Sequence, residues 1–179
     1  MTTFLDLALR RRSIRKYEAR AVEKEKIEQI LQAGLASPSS KHLNPWEFVV
    51  VTDHDVLCCL SDCKTYGSAL LQNSPLGIVV CVDGTGTDTW QCDGSIAALN
   101  MLLCAEDLGL GGCWVHIHNR GTKENIEAEA MARKLLNIPE RLNVLCIVSI
   151  GYKAEEKKSI NPDKLQYEKV HWDTYETES

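Results

Sequence analysis

Apolar side chains recur along this chain in two rhythms, one fitting helices and the other strands. Phe4, Leu5, Ala8 and Leu9 give the segment from Thr3 to Arg11 the stripe of a short amphipathic helix. From Glu23 to Ala36, the residues Ile27, Ile30, Leu31 and Leu35 return at helical spacing with charges between them. Ser37-Pro38 ends that run, because proline disfavours helical backbone at the residue before it. Trp46 to Thr52 is apolar and β-branched enough for a central strand. Thr52-x-x-Asp55 then resembles a capping box, with Asp in place of Glu, and predicts a helix from Val56 to Cys63. Leu76 to Val82 reads as a second buried strand, closed by a Gly/Asp/Thr-rich turn. Cys113 to His118 and Asn143 to Ile150 are the third and fourth strands, with a charged amphipathic helix from Thr122 to Asn137 between them.

The helix from Gln91 to Leu108 is the exception to this amphipathic pattern. Ile96, Ala97, Ala98, Leu99, Met101, Leu102, Leu103, Cys104 and Ala105 leave it almost no polar face, so it must be covered all round, by its own domain or by a partner chain. In a chain of this length a dimer core is the expected solution. Gly109-Leu110-Gly111-Gly112 ends the helix and allows close backbone approach. The tail from Tyr152 to Ser179 has no core-building period, yet Tyr167, Val170, His171, Trp172 and Tyr175 are too many large side chains for a disordered segment. Four strands interleaved with about five helices, followed by this tail, predict one α+β domain over residues 1–179. Residues from about 152 to 179 form its dimer arm.

Composition narrows the field. A net charge of -5 excludes the basic footprint of a nucleic-acid or anionic-membrane binder, so any anion site must be local. No apolar run is long enough to span a bilayer, and the charges near the N-terminus follow the apolar stretch, unlike a secretory leader. The eight cysteines lie mostly among Val, Leu and Ile, where a free thiol behaves as a small apolar side chain. They lack the paired spacing of a zinc site, and a reduced, cytoplasmic setting is expected.

Against this acidic background, Arg11-Arg12-Ser13-Ile14-Arg15 places three guanidinium groups and a hydroxyl within five residues. Guanidinium groups meet phosphate oxygens two at a time and serine adds a short neutral donor, so the run suits a phosphate. A solvated positive helix end is the competing reading.

The Arg-Arg-Ser-x-Arg run after a short first helix, the Ser-Pro-Ser-Ser loop leading to Asn44-Pro45-Trp46, the buried helix ending in Gly109-Leu110-Gly111 before Trp114, and Gly151-Tyr152 after the last strand occur in one order. In that order they resemble the FMN-dependent nitroreductase family, over about Phe4 to Tyr175. The resemblance implies a nitroreductase-like fold with a central mixed sheet flanked by helices and a C-terminal arm extending over the partner subunit. It further implies an obligate homodimer with FMN sites built by both chains. Arg11, Arg12, Ser13 and Arg15 inherit the ribityl phosphate and flavin edge, while Pro38, Ser39 and Ser40 of the other subunit lie against the ring. Backbone near Trp114 and Val115 passes the flavin's pyrimidine side, with amide donors from His116 and Ile117. Lys158, with Lys157 close behind, completes the phosphate site.

Two positions depart from the family pattern. His42 stands where an amide is common, with Asn44 a milder change nearby, and the bulky His116 stands where glycine is common. Both histidines are candidate proton donors, or they only shape the pocket. Strand alternation places Trp114, His116 and His118 on one face, but that pair of histidines lacks a third metal ligand. The function implied is two-electron transfer from NADH or NADPH through FMN to a nitroaromatic, quinone or enone, by a ping-pong mechanism without a side-chain nucleophile. A flavin-binding module with little turnover is the alternative, and a flavin-free metal-binding protein is a third.

Overall fold

A computed structural model describes residues 3–175 of the chain. Five helices and four strands follow in the order α1 (Phe4–Arg10), α2 (Lys24–Leu35), β1 (Trp46–Val51), α3 (His54–Ser61), β2 (Leu76–Asp83), α4 (Trp90–Asp107), β3 (Gly111–His116), α5 (Ala128–Leu136) and β4 (Leu142–Gly151). The strands form one antiparallel sheet in the order β1-β2-β4-β3. The parallel element of the mixed sheet is the single bridge between Ser13 and Gly112, on the outer edge of β3.

The sheet is buried on both faces, which explains why its inner strands read as unbroken apolar runs. Leu76, Ile78, Val80 and Val82 of β2 join Val148 and Ile150 of β4 under α2 and α4. Val79 and Cys81 join Val144 and Ile147 under α3 and α5 on the other side. A register shift between Val80 and Cys81 leaves Leu145 as an extra residue on β4. The Leu145 carbonyl accepts hydrogen bonds from the Ile117 and His118 amides just past the end of β3.

Local chemistry sets the helix ends. Thr3 and Asp6 form a reciprocal capping box on α1. At α3 the expected Thr52 box does not form. Asp53 is the cap instead, its carboxylate accepting from the amides of Asp55 at 2.8 Å and Val56 at 3.2 Å. An ionised carboxylate one residue nearer is the stronger acceptor for these amides. The expected helix from Thr122 is shorter, because Gly121 to Glu127 closes on itself in a bridged turn before α5 begins.

Helix α4 buries Ala97, Ala98, Met101, Leu102 and Ala105 against the sheet and α2, but Ile96 and Leu99 stay 37% and 48% exposed. Its second apolar face is therefore uncovered by its own chain. Phe4 and Leu5 on α1 are exposed as well, and so are Tyr167, Val170, Trp172 and Tyr175 in the tail.

Candidate FMN site at the edge of the sheet

The arginine run leaves α1 and is clamped between two other segments. The Ile14 amide donates to the Gly112 carbonyl at 3.0 Å, which ties the run to the edge of β3. On its other side, the Glu18 amide donates to the Tyr152 carbonyl and the Ala154 amide donates to the Lys16 carbonyl. Glu155 accepts from the Arg15 amide at 2.6 Å and the Lys16 amide at 3.3 Å. The buried Tyr17 hydroxyl donates to the Ile14 carbonyl at 2.7 Å and accepts from Ser149. With Ile14 buried at its centre, alternate residues of the run face outward.

Those outward residues form one electropositive group. Burial raises the pKa of the Cys113 thiol, opposed by Arg15, a hydrogen bond with Ser13, Lys157 and Arg11, so all four groups lie within electrostatic reach of this residue of β3. Arg10, Arg20, Arg133 and Arg141 each have a carboxylate partner. Arg11 and Arg15 have none among the described residues. Two guanidinium groups without an ion-pair partner among the described residues, near a hydroxyl and an ammonium group, fit the phosphate of FMN. Arg12 turns elsewhere and donates to the Lys158 carbonyl. Of the two candidate lysines, Lys157 acts electrostatically on Cys113 and lies 3.6 Å from Glu155, while the Lys158 carbonyl accepts from Arg12.

The edge strand carries the site away from the phosphate end. Val115 and Ile117 are fully buried in the core under α3 and α5, so their side chains face away from any ligand at the edge. The Ile117 amide, expected as a flavin donor, is committed to Leu145 at 3.0 Å. Alternation leaves the His116 amide on the open edge, beside the carbonyl that accepts from Lys64 Nζ at 2.7 Å. Trp114 and His116 share a face, with stacked rings 6.0 Å apart. His118 does not continue that face in the strand, since β3 ends at His116. It lies edge-on to Trp90 and within 3.1 Å of Glu129. Burial lowers the His116 pKa, helped by Arg120, Lys64 and His118. No group of three His, Cys, Asp or Glu residues among the described residues could hold a metal ion.

The second half of the expected site lies apart in the same chain. Pro38, Ser39, Ser40, His42 and Asn44 belong to a tight loop before β1, in which Lys41, His42 and Asn44 have φ of 54°, 55° and 46°. Such left-handed backbone is strained for residues other than glycine, and side chains of α4 anchor the residues that lead into it. Asp93 accepts from the Ser40 amide at 2.9 Å, and Asn100 donates to Ser37 Oγ at 2.8 Å. Ser39 Oγ closes the loop by accepting from the Asn44 amide. The loop is anchored at Asp93 and the arginine run at Glu106, through Arg10. These anchors are 13 residues apart on α4, about 20 Å at 1.5 Å per residue.

A model of the nitroreductase family matches residues 8–80 and 62–152. The chain belongs to that family. An FMN-dependent nitroreductase structure from Clostridium difficile R20291 superposes with a TM-score of 0.94 at 47% identity, covering 96% of this chain and 100% of that one. An Archaeoglobus fulgidus protein, provisionally named an NADH dehydrogenase/NAD(P)H nitroreductase, is 38% identical over 94% of this chain and 99% of its own. The Vibrio harveyi NADPH:FMN oxidoreductase complexed with NAD+ is more distant, with a TM-score of 0.73 and 27% identity over 98% of this chain and 79% of that one. The nitroreductase match includes the arginine run, the loop before β1 and all four strands.

Lys64, Glu106, Lys153 and Glu155 carry no motif and were not legible from sequence. One signal was present: Glu106 is an acid in the last turn of an apolar helix, where the helix dipole disfavours it.

Proposed function

We infer that this chain is a flavin oxidoreductase with FMN as cofactor and NAD(P)H as electron donor, working as a homodimer. The observation that carries the reading is the pair of uncompensated guanidinium groups, Arg11 and Arg15, gathered with Ser13 and Lys157 at the open edge of β3. FMN supplies reversible two-electron acceptance when bound. The protein holds its phosphate with Arg11, Ser13, Arg15 and Lys157, with Arg12 bracing the run and Lys158 giving it a backbone acceptor. Trp114, Val115, His116 and Ile117 form the strand edge that would hold the ring, where the outward-facing His116 amide would serve as a donor. Lys64 and Arg120 add positive charge near that end, which favours an electron-rich ring.

The homodimer reading draws on the uncovered face of α4 and the exposed aromatic tail, which have the character of surfaces that pack on another copy. It also accounts for a loop whose Ser40 is held on α4 about 20 Å from the helix position that anchors Arg10: Pro38, Ser39, Ser40, His42 and Asn44 serve the partner's site. One pocket admitting donor and acceptor in turn gives ping-pong kinetics, with a nitroaromatic, quinone or enone as acceptor. His116 and the exposed His42 are the candidate proton donors to the acceptor, and burial with nearby positive charge lowers the His116 pKa.

The test is spectroscopic. The purified protein should show a flavin spectrum that NADH or NADPH bleaches anaerobically and that added acceptor restores. A protein that binds FMN but resists bleaching is instead a flavin-binding module, and one that fails to bind FMN at all overturns the reading.

A further inference from the structure

Glu106 is among the most buried charged residues of the described chain, its side chain only 2% exposed. It lies in the last turn of α4, where a carboxylate faces the negative end of the helix dipole. Burial and the dipole both oppose its charge, so the partners that hold it there are informative. Arg10 Nε lies 3.1 Å from Oε1, and Lys153 Nζ lies 2.8 Å from both oxygens. Arg10 immediately precedes the arginine run, and Lys153 opens the segment that brings Lys157 to it. The Lys153 stem and Ile14 both pack at Gly111. One buried carboxylate therefore grips the roots of both strips of the phosphate cradle.

An ion triad around a buried carboxylate adds little net stability over apolar packing, because desolvation of the carboxylate offsets the attraction. In some proteins such groups serve to fix geometry. We propose that Glu106 is a positioning residue for the cofactor phosphate, holding Arg11, Ser13, Arg15 and Lys157 in register through Arg10 and Lys153. The proposal rests on the phosphate reading of that cluster. It also runs against simple electrostatics, since removing a negative charge near a phosphate would by itself tighten binding.

Riboflavin, which has the same ring as FMN without the phosphate, isolates the effect. In the unmodified protein, FMN should bind about 100-fold more tightly than riboflavin. Glu106→Gln should cut that preference about tenfold, with riboflavin affinity unchanged. Should this variant fail to fold, Arg10→Gln, at the more exposed end of the triad, should lower the preference in the same direction. A preference unchanged or increased in a folded variant, or equal losses for both flavins, overturns the proposal while leaving the phosphate reading intact. An unmodified chain that binds riboflavin as tightly as FMN overturns the phosphate reading itself, and this inference with it.

Discussion

Ile14 occupies the space that a side chain at Gly111 would need. A Cβ built on Gly111 would lie 2.7 Å from Ile14 Cγ1, 2.8 Å from Ile14 Cβ and 2.9 Å from Lys153 Cγ. This absence of a methyl group lets the arginine run lie flat on the edge of β3. Gly111→Ala should therefore cost about 1–3 kcal/mol of stability through overpacking. It should also weaken FMN binding, because the run must shift to make room. Urea denaturation and an FMN titration on the same preparation measure both effects, and a variant with unchanged FMN affinity would show that the run does not depend on this contact.

Arg15 is exposed and has no carboxylate partner among the described residues, so its guanidinium does little for folding. Arg15→Ala should reduce FMN affinity by about 10- to 100-fold, the worth of a charged hydrogen bond, while the melting temperature of the apoprotein stays nearly constant. The two lysines should divide in the same assay: Lys157→Ala weakens FMN binding and Lys158→Ala does so much less. An equal effect of both changes would contradict this division of roles.

Leu99 projects from the uncovered face of α4. In the proposed homodimer, Leu99→Glu should be tolerated by the single chain but place an unpaired charge in the subunit contact, converting the dimer to a monomer at micromolar concentration. Sedimentation velocity reads the change directly. FMN should be lost with the dimer, since the Pro38–Asn44 loop then has no second chain to serve. Persistence of a stable dimer would place the interface elsewhere.

His116 binds a proton less readily in the folded chain than in the unfolded one, because burial and the nearby Arg120 and Lys64 disfavour its cation. Unfolding therefore takes up a proton as the solution is acidified. The associated stability is complete above the ordinary histidine value of about 6.5 and falls as pH drops below it towards the depressed folded value. The loss in urea midpoint between pH 7.5 and pH 5.5 should be smaller in His116→Gln than in the unmodified protein. Identical losses would exclude His116 as a contributor.

The strands and longer helices were legible because their signals are local: period, branching and punctuation place β2, β4 and α4 within a residue or two of their observed ends. The shorter α5 was less so, since the bridged turn at Gly121–Glu127 depends on a pairing that no helical stripe records. At the site, charge and spacing pointed to Arg11–Arg15, but not to the side of the run each guanidinium takes. That division follows from Ile14 being drawn into the core and from Arg12 finding Lys158, both contacts across the fold. The commitment of the Ile117 amide to Leu145 is likewise a product of the irregular pairing of β2 and β4, which leaves no mark in β3 itself.

The anchoring of the arginine run near one end of α4, at Glu106, and of Ser40 near the other, at Asp93, has a geometric consequence. In a homodimer whose sites combine the run of one chain with the loop of the other, this helix acts as a spacing gauge between the two cofactors. One residue inserted near its middle would lengthen it by about 1.5 Å and rotate one anchor by about 100° relative to the other. Both pockets would then be altered at once by a change that touches neither, so the length of α4 should tolerate less variation than its surface composition.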